Sequence, residues 1–117
     1  AAADDDARVR LLTRIADLHS VQLSDWASAF RAYARAVPLA PTDAALREQL
    51  ANASRARAAH GDSAAHADRA AVLEAALARV GDDAVSQREI VTELASLWDE
   101  EADDAARAEP WLERAYD

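Results

Sequence analysis

Apolar residues recur along the chain at three- and four-residue spacing in six stretches, the period of an amphipathic helix rather than the alternation of a strand. Val9, Leu11, Leu12, Ile15, Ala16, Leu18 and Leu23 form the first, behind Asp4, Asp5 and Asp6, whose charge suits a first helical turn. Ser24 or Asp25 caps a second, carrying Trp26, Ala29, Phe30, Tyr33 and Val37 and ended by Pro38 and Pro41. Thr42 and Asp43 open a third through Leu46, Leu50 and Ala53 to about His60, where Gly61 supplies a left-handed stop. A fourth starts at Asp62 or Ser63, carries Val72, Leu73, Ala76, Leu77 and Val80, and stops at Gly81. Asp82 or Asp83 caps a fifth, with Val85, Ile90, Val91, Leu94, Leu97 and Trp98 facing inward. Asp103 or Asp104 caps a sixth, with Ala108, Trp111, Leu112 and Ala115; Pro110 should delay or kink it.

The connections are a few residues long, so consecutive helices pack as antiparallel hairpins. Composition sharpens this. Of 117 residues 33 are Ala, with Gly 2, Pro 3 and Cys 0. So few turn formers cannot punctuate a multi-stranded sheet, and without Cys there is neither a disulfide framework nor a thiolate metal site. An Ala-rich interface lets helices approach closely but buries little area per residue, which predicts a thin, extended layer. The charge of −9 has the wrong sign for nucleic-acid or anionic-membrane binding, and no apolar run is long enough to span a bilayer.

The pattern also repeats. Leu12, Ile15, Ala16 and His19 are matched 79 positions later by Val91, Leu94, Ala95 and Trp98, and Ala29, Tyr33 and Ala36 by Ala108, Leu112 and Ala115 at the same offset. With Pro41 after the first copy, these positions resemble the signature of the tetratricopeptide repeat (TPR), a helix-turn-helix unit of about 34 residues. Leu50 and Ala51 fit its Leu-small pair in the middle unit, where Ser54 replaces the aromatic and the unit is longer than the family length. The resemblance implies one all-α domain over residues 1–117, a right-handed α-solenoid of three antiparallel helix hairpins (six helices), with units of approximately 4–41, 42–81 and 82–117. A half-a-TPR array or a plain six-helix bundle is the alternative. The chain starts without Met and stops short of the repeat's closing proline, which fits a slice of a longer array.

By that resemblance the first helix of each hairpin lines a concave groove. Arg10, Thr13, Asp17 and Ser20 then face it from the first unit, Glu48, Asn52 and Arg55 from the second, and Glu89, Thr92, Ser96 and Asp99 from the third. The groove would take an extended peptide or a helix of another protein, basic or amphipathic to suit its acidity. The carboxylate clamp of chaperone-binding TPRs does not fit: Thr13 and Asp17 stand where it needs Lys and Asn, and the chain has no Lys. Equally, these positions read as ordinary solvated helix faces. The sixth helix should expose Trp111 or Leu112 on its open side, an edge that invites self-association.

Other chemistry is thin. His60, Asp62 and His66 straddle a glycine turn without the i, i+4 geometry of a helical metal pair, and read as surface turn residues. His19 occupies an aromatic packing position. The acids at 4–6 and 82–83 fall at helix starts, whereas Asp99, Glu100 and Glu101 crowd a helix end and read as solvated. No nucleophile triad, phosphate loop or nucleotide fingerprint is present. The expectation is a non-catalytic cytoplasmic protein-interaction scaffold without cofactors, and the competing reading is a structural or self-assembly spacer within a larger multi-repeat protein.

Overall fold

Helix starts follow from local hydrogen bonding. The carboxylate of Asp25 accepts the Ser28 backbone N–H at 3.1 Å, Asp43 that of Leu46 at 3.0 Å, Asp83 that of Ser86 at 3.1 Å and Asp104 that of Arg107 at 3.1 Å. Each satisfies a donor the first turn leaves free. The computed structural model describes residues 2–116, and among them are six α-helices and no strand. These are α1 (Ala2–Asp17), α2 (Trp26–Ala36), α3 (Ala44–Ala59), α4 (Ala65–Leu77), α5 (Ala84–Ser96) and α6 (Ala105–Ala115). A π-helical turn continues α1 over Leu18–Gln22 and α5 over Leu97–Glu101, and a 3₁₀ turn continues α2 over Val37–Leu39.

Two helix boundaries depart from expectation. Helix α4 begins after Ala64, because Asp62 accepts the Ala64 N–H at 3.0 Å in the preceding turn instead of capping the helix. Pro110 lies inside α6 without delaying it, since Asp104 sets the start at Ala105. The lost donor affects only the Ala106 carbonyl, on an exposed residue within reach of water.

The 79-residue repetition extends to the backbone. Helix α2 and α6 share bounds at that offset, as do the two π turns. Ser24 and Asp103, directly before the capping aspartates, have φ of 50° and 51°. The Asp25 N–H donates to the His19 carbonyl and the Asp104 N–H to that of Trp98. A second correspondence, at 40 residues, joins the turns before α3 and α5: the Asp43 N–H donates to Ala40 and the Asp83 N–H to Val80. The first and third hairpins are therefore built to one local plan, and the middle one shares only the turn that leads into its first helix.

Each helix packs chiefly on its neighbours in sequence, giving a body of 38 × 37 × 16 Å. With interaxial distances of about 8–10 Å, the short dimension holds two helix layers. One continuous core joins Leu12, Phe30, Tyr33, Val37, Leu46, Leu50, Leu73, Ile90, Leu94, Leu97 and Trp98. Ala16, Ala29, Ala36, Ala53, Ala76 and Ala108 are fully buried among them, where a larger side chain would hold the helices apart. Five residues expected inside are exposed: Leu11, Ile15, Leu18, Leu23 and Val85. Helix α1 packs against α2 on one side only, so just the arc through Leu12 and Ala16 is covered. Val85 lies one residue into α5, outside the packed turns.

Candidate functional site

The polar positions of the first helices fall into three groups. From α1, Asp17 accepts the Tyr33 hydroxyl of α2 at 2.6 Å, and the Ser20 hydroxyl donates to the Asp17 carbonyl at 3.2 Å. Burial, with the Asp17 carboxylate beside it, pushes the Tyr33 phenol up to about 12. Arg10 is exposed and Thr13 half-buried. Asp17 thus holds a hairpin together and offers little free surface.

From α3, Arg55 donates to Asn52 at 3.2 Å and to Glu48 at 3.4 Å, and reaches Glu101 of the second π turn at 3.0 Å. Glu101 also accepts from Arg69 of α4 at 2.9 Å. Burial alone would raise the Glu101 carboxyl, but hydrogen bonds from Arg55 and Arg69 outweigh it and hold the group below the usual carboxylate range. Glu101, expected as solvated, is therefore the ion that ties α3, α4 and the end of α5 together.

Glu89 joins a second ionic cluster. Arg47 of α3 is 1% exposed and donates to Glu93 at 3.0 Å, to Glu89 at 3.0 Å and to the Pro41 carbonyl at 2.6 Å. Burial pushes the Glu93 carboxyl above its ordinary value despite the guanidinium beside it. Thr92, Ser96 and Asp99 form the third group, lining a cavity of about 350 Å³ between α5, its π turn and α6 with Arg88, Leu112 and Tyr116.

Arg47, Arg69, Glu93 and Glu101 were not anticipated. Their signal was present: Arg47 and Arg69 sit on buried helix arcs with Leu46, Leu50 and Leu73, and a buried guanidinium requires carboxylates. At the far end of α3, Arg57 takes Asp62 at 2.7 Å and Asp68 at 2.9 Å, and stacks over Phe30 at 4.6 Å from the ring centre. Asp62 is therefore engaged by a cation, with His60 exposed and His66 half-buried nearby. Among the described residues no three His, Asp or Glu groups come together as a metal set, and no helix is long and apolar enough to cross a membrane.

Trp98 is buried, as its place in the pattern requires, and Arg107 stacks on it at 4.8 Å. Trp26, Trp111 and Leu112 are half-buried against the core, so the aromatic and aliphatic residues of α6 are less open than expected. The larger exposed apolar surface is on α1. Comparison with family models, curated proteins and solved structures gives no match to this chain.

Proposed function

We propose that this chain is a tandem-hairpin scaffold of TPR type, a right-handed solenoid acting in the cytoplasm, that binds a segment of another protein and catalyses nothing. The recurrence of helix bounds, π turns, left-handed residues and caps at a 79-residue offset carries this reading. Tandem hairpins spend their sequence on stacking and leave the outer faces of their helices for partners. The binding positions on this reading are Glu48, Asn52 and Arg55 with Glu89 at the α3–α5 junction, and Thr92, Ser96 and Asp99 in the adjoining cavity. Arg10 and Thr13 form a secondary rim, while Asp17 and Ser20 are spent on holding the first hairpin. The acidic balance favours a basic or amphipathic helix, whose capture would weaken with salt.

The test uses Glu48→Arg with Asp99→Arg. Both residues are exposed, and the Glu48–Arg55 pair contributes at most about 1 kcal/mol at the surface. A partner captured from lysate by the wild type, lost by this double variant and released by salt supports groove binding. Equal capture by both proteins refutes it. The second reading, a self-assembling spacer, is favoured by the apolar stripe on α1.

A further inference from the structure

The internal repetition gives each helix face a counterpart whose cover is visible within the same molecule. At the 79-residue offset, Leu11, Ile15 and Leu18 of the first hairpin correspond to Ile90, Leu94 and Leu97 of the third. The first three are 60%, 39% and 46% exposed; the last three are all 0%. Helix α5 differs from α1 in having α4 of the preceding hairpin packed against it. The exposed α1 stripe, extended by Val21 at 80%, is thus the surface a preceding hairpin would cover.

The other end of the molecule shows the reciprocal vacancy. Val37, at the end of α2, is 0% exposed beneath the following hairpin, whereas its counterpart Tyr116 is 86% exposed. Tyr116 and Leu112 border the 350 Å³ cavity between α5 and α6, on the side where a next first helix would enter. Among the described residues, α1 therefore presents an incoming helix face without a receiving groove, and α5 with α6 a groove without a helix.

We propose that the α1 stripe of one copy docks into the α5–α6 groove of a second copy, continuing the junction the chain already makes between its own hairpins. Charge permits it. Within the chain, Glu89 and Glu93 of the incoming helix meet Arg47 of the receiving hairpin. At the copy-to-copy junction Arg10 and Arg14 replace the two acids and Gln87 replaces the arginine, while the groove offers the carboxylates of Asp99 and Glu100 against the single cation of Arg88. The contact is heterologous and does not close on itself, so copies add head to tail.

Sedimentation of the full chain over a range of concentrations tests this. The wild type should grow through dimer, trimer and larger species without a fixed stoichiometry. Leu11→Glu with Leu18→Glu blocks one end, and Glu100→Arg with Tyr116→Arg blocks the other; all four residues are exposed, so helix content by circular dichroism should be unchanged. Each blocked protein should be monomeric alone, while an equimolar mixture should form a dimer and stop there. A wild type monomeric at every concentration overturns the proposal, leaving the stripe for a different hairpin or partner. So does a groove-blocked variant that still dimerises, since α1 would then pair with α1. The proposal rests on the tandem-hairpin reading, and Asp99 borders the same groove, so partner binding is separated from self-association at Glu48, which lies outside it: Glu48→Arg alone should lower partner capture and leave the sedimentation unchanged.

Discussion

Arg47 allows a test of how a buried cation is held. Its side chain is 1% exposed, while those of Glu89 and Glu93 are 42% and 30% exposed. The burden of desolvation therefore falls on the arginine. Replacing both acids by alanine strands a guanidinium with one carbonyl acceptor, and breaking a buried pair in this way costs about 3–5 kcal/mol. Arg47→Met keeps most of the packing volume and strands only two carboxylates that water can reach, so it should cost about 1–2 kcal/mol. The gap of about 2 kcal/mol is more than tenfold in the unfolding constant, against a total stability of about 5–15 kcal/mol for a domain. Combining Met with both alanines removes every charge and should recover most of the loss, a coupling a double-mutant cycle would measure. Urea unfolding followed by tryptophan fluorescence, with the denaturant slope unchanged, reads all three variants. If Arg47→Met is as damaging as the loss of both acids, unequal burial does not govern this cluster and the reasoning fails.

Further outcomes follow from the same geometry. Leu97→Ala should cost about 2–5 kcal/mol and its counterpart Leu18→Ala in the monomer much less, because only the former is enclosed; equal costs in thermal unfolding would contradict the burial difference. Asp25→Ala and Asp104→Ala should each cost about 1 kcal/mol and lower helix content on heating, whereas exposed Asp82, which caps nothing, should be replaceable by Ala within about 0.5 kcal/mol. The Glu101 carboxyl is held below its ordinary value, so its contribution is present above the unfolded carboxylate range and lost as pH falls through the lower folded value. Glu101→Gln should flatten that part of the acid limb of a stability–pH curve. Glu93 works in the opposite sense: its raised value makes acidification through that value favour the folded form.

What could be read from the chain was what is decided locally. Asp25, Asp43, Asp83 and Asp104 bond within three residues of themselves, so their capping role shows in a short window. Gly61 and Gly81 adopt positive φ at helix ends for the same local reason. Burial was harder. The period of Leu11, Ile15 and Leu18 correctly marked an apolar face, but whether anything covers that face depends on a neighbouring hairpin and not on the period. The role of Arg47 does not show in a short window because its carboxylates lie more than forty positions downstream. The π turns were invisible for a related reason. Inserting one residue into a helical turn changes the angular phase beyond it, so Glu101, read at the ordinary period as solvated, comes round to meet Arg55 and Arg69.

The neighbour-to-neighbour packing of the six helices also bears on how the chain reaches this state. Contacts between successive helices close short loops, so folding should be fast, in the microsecond-to-millisecond range of low-contact-order helical folds, as stopped-flow or temperature-jump fluorescence would read. It also makes the route reversible in pieces. Helices α1 and α6 each pack chiefly on one other helix, whereas α3 and α4 each lie between two. Opening from either end costs one helix interface and opening in the middle costs two. Amide hydrogens of α1 and α6 should therefore exchange with solvent through partial openings, while those of α3 and α4 wait for rarer unfolding of the centre.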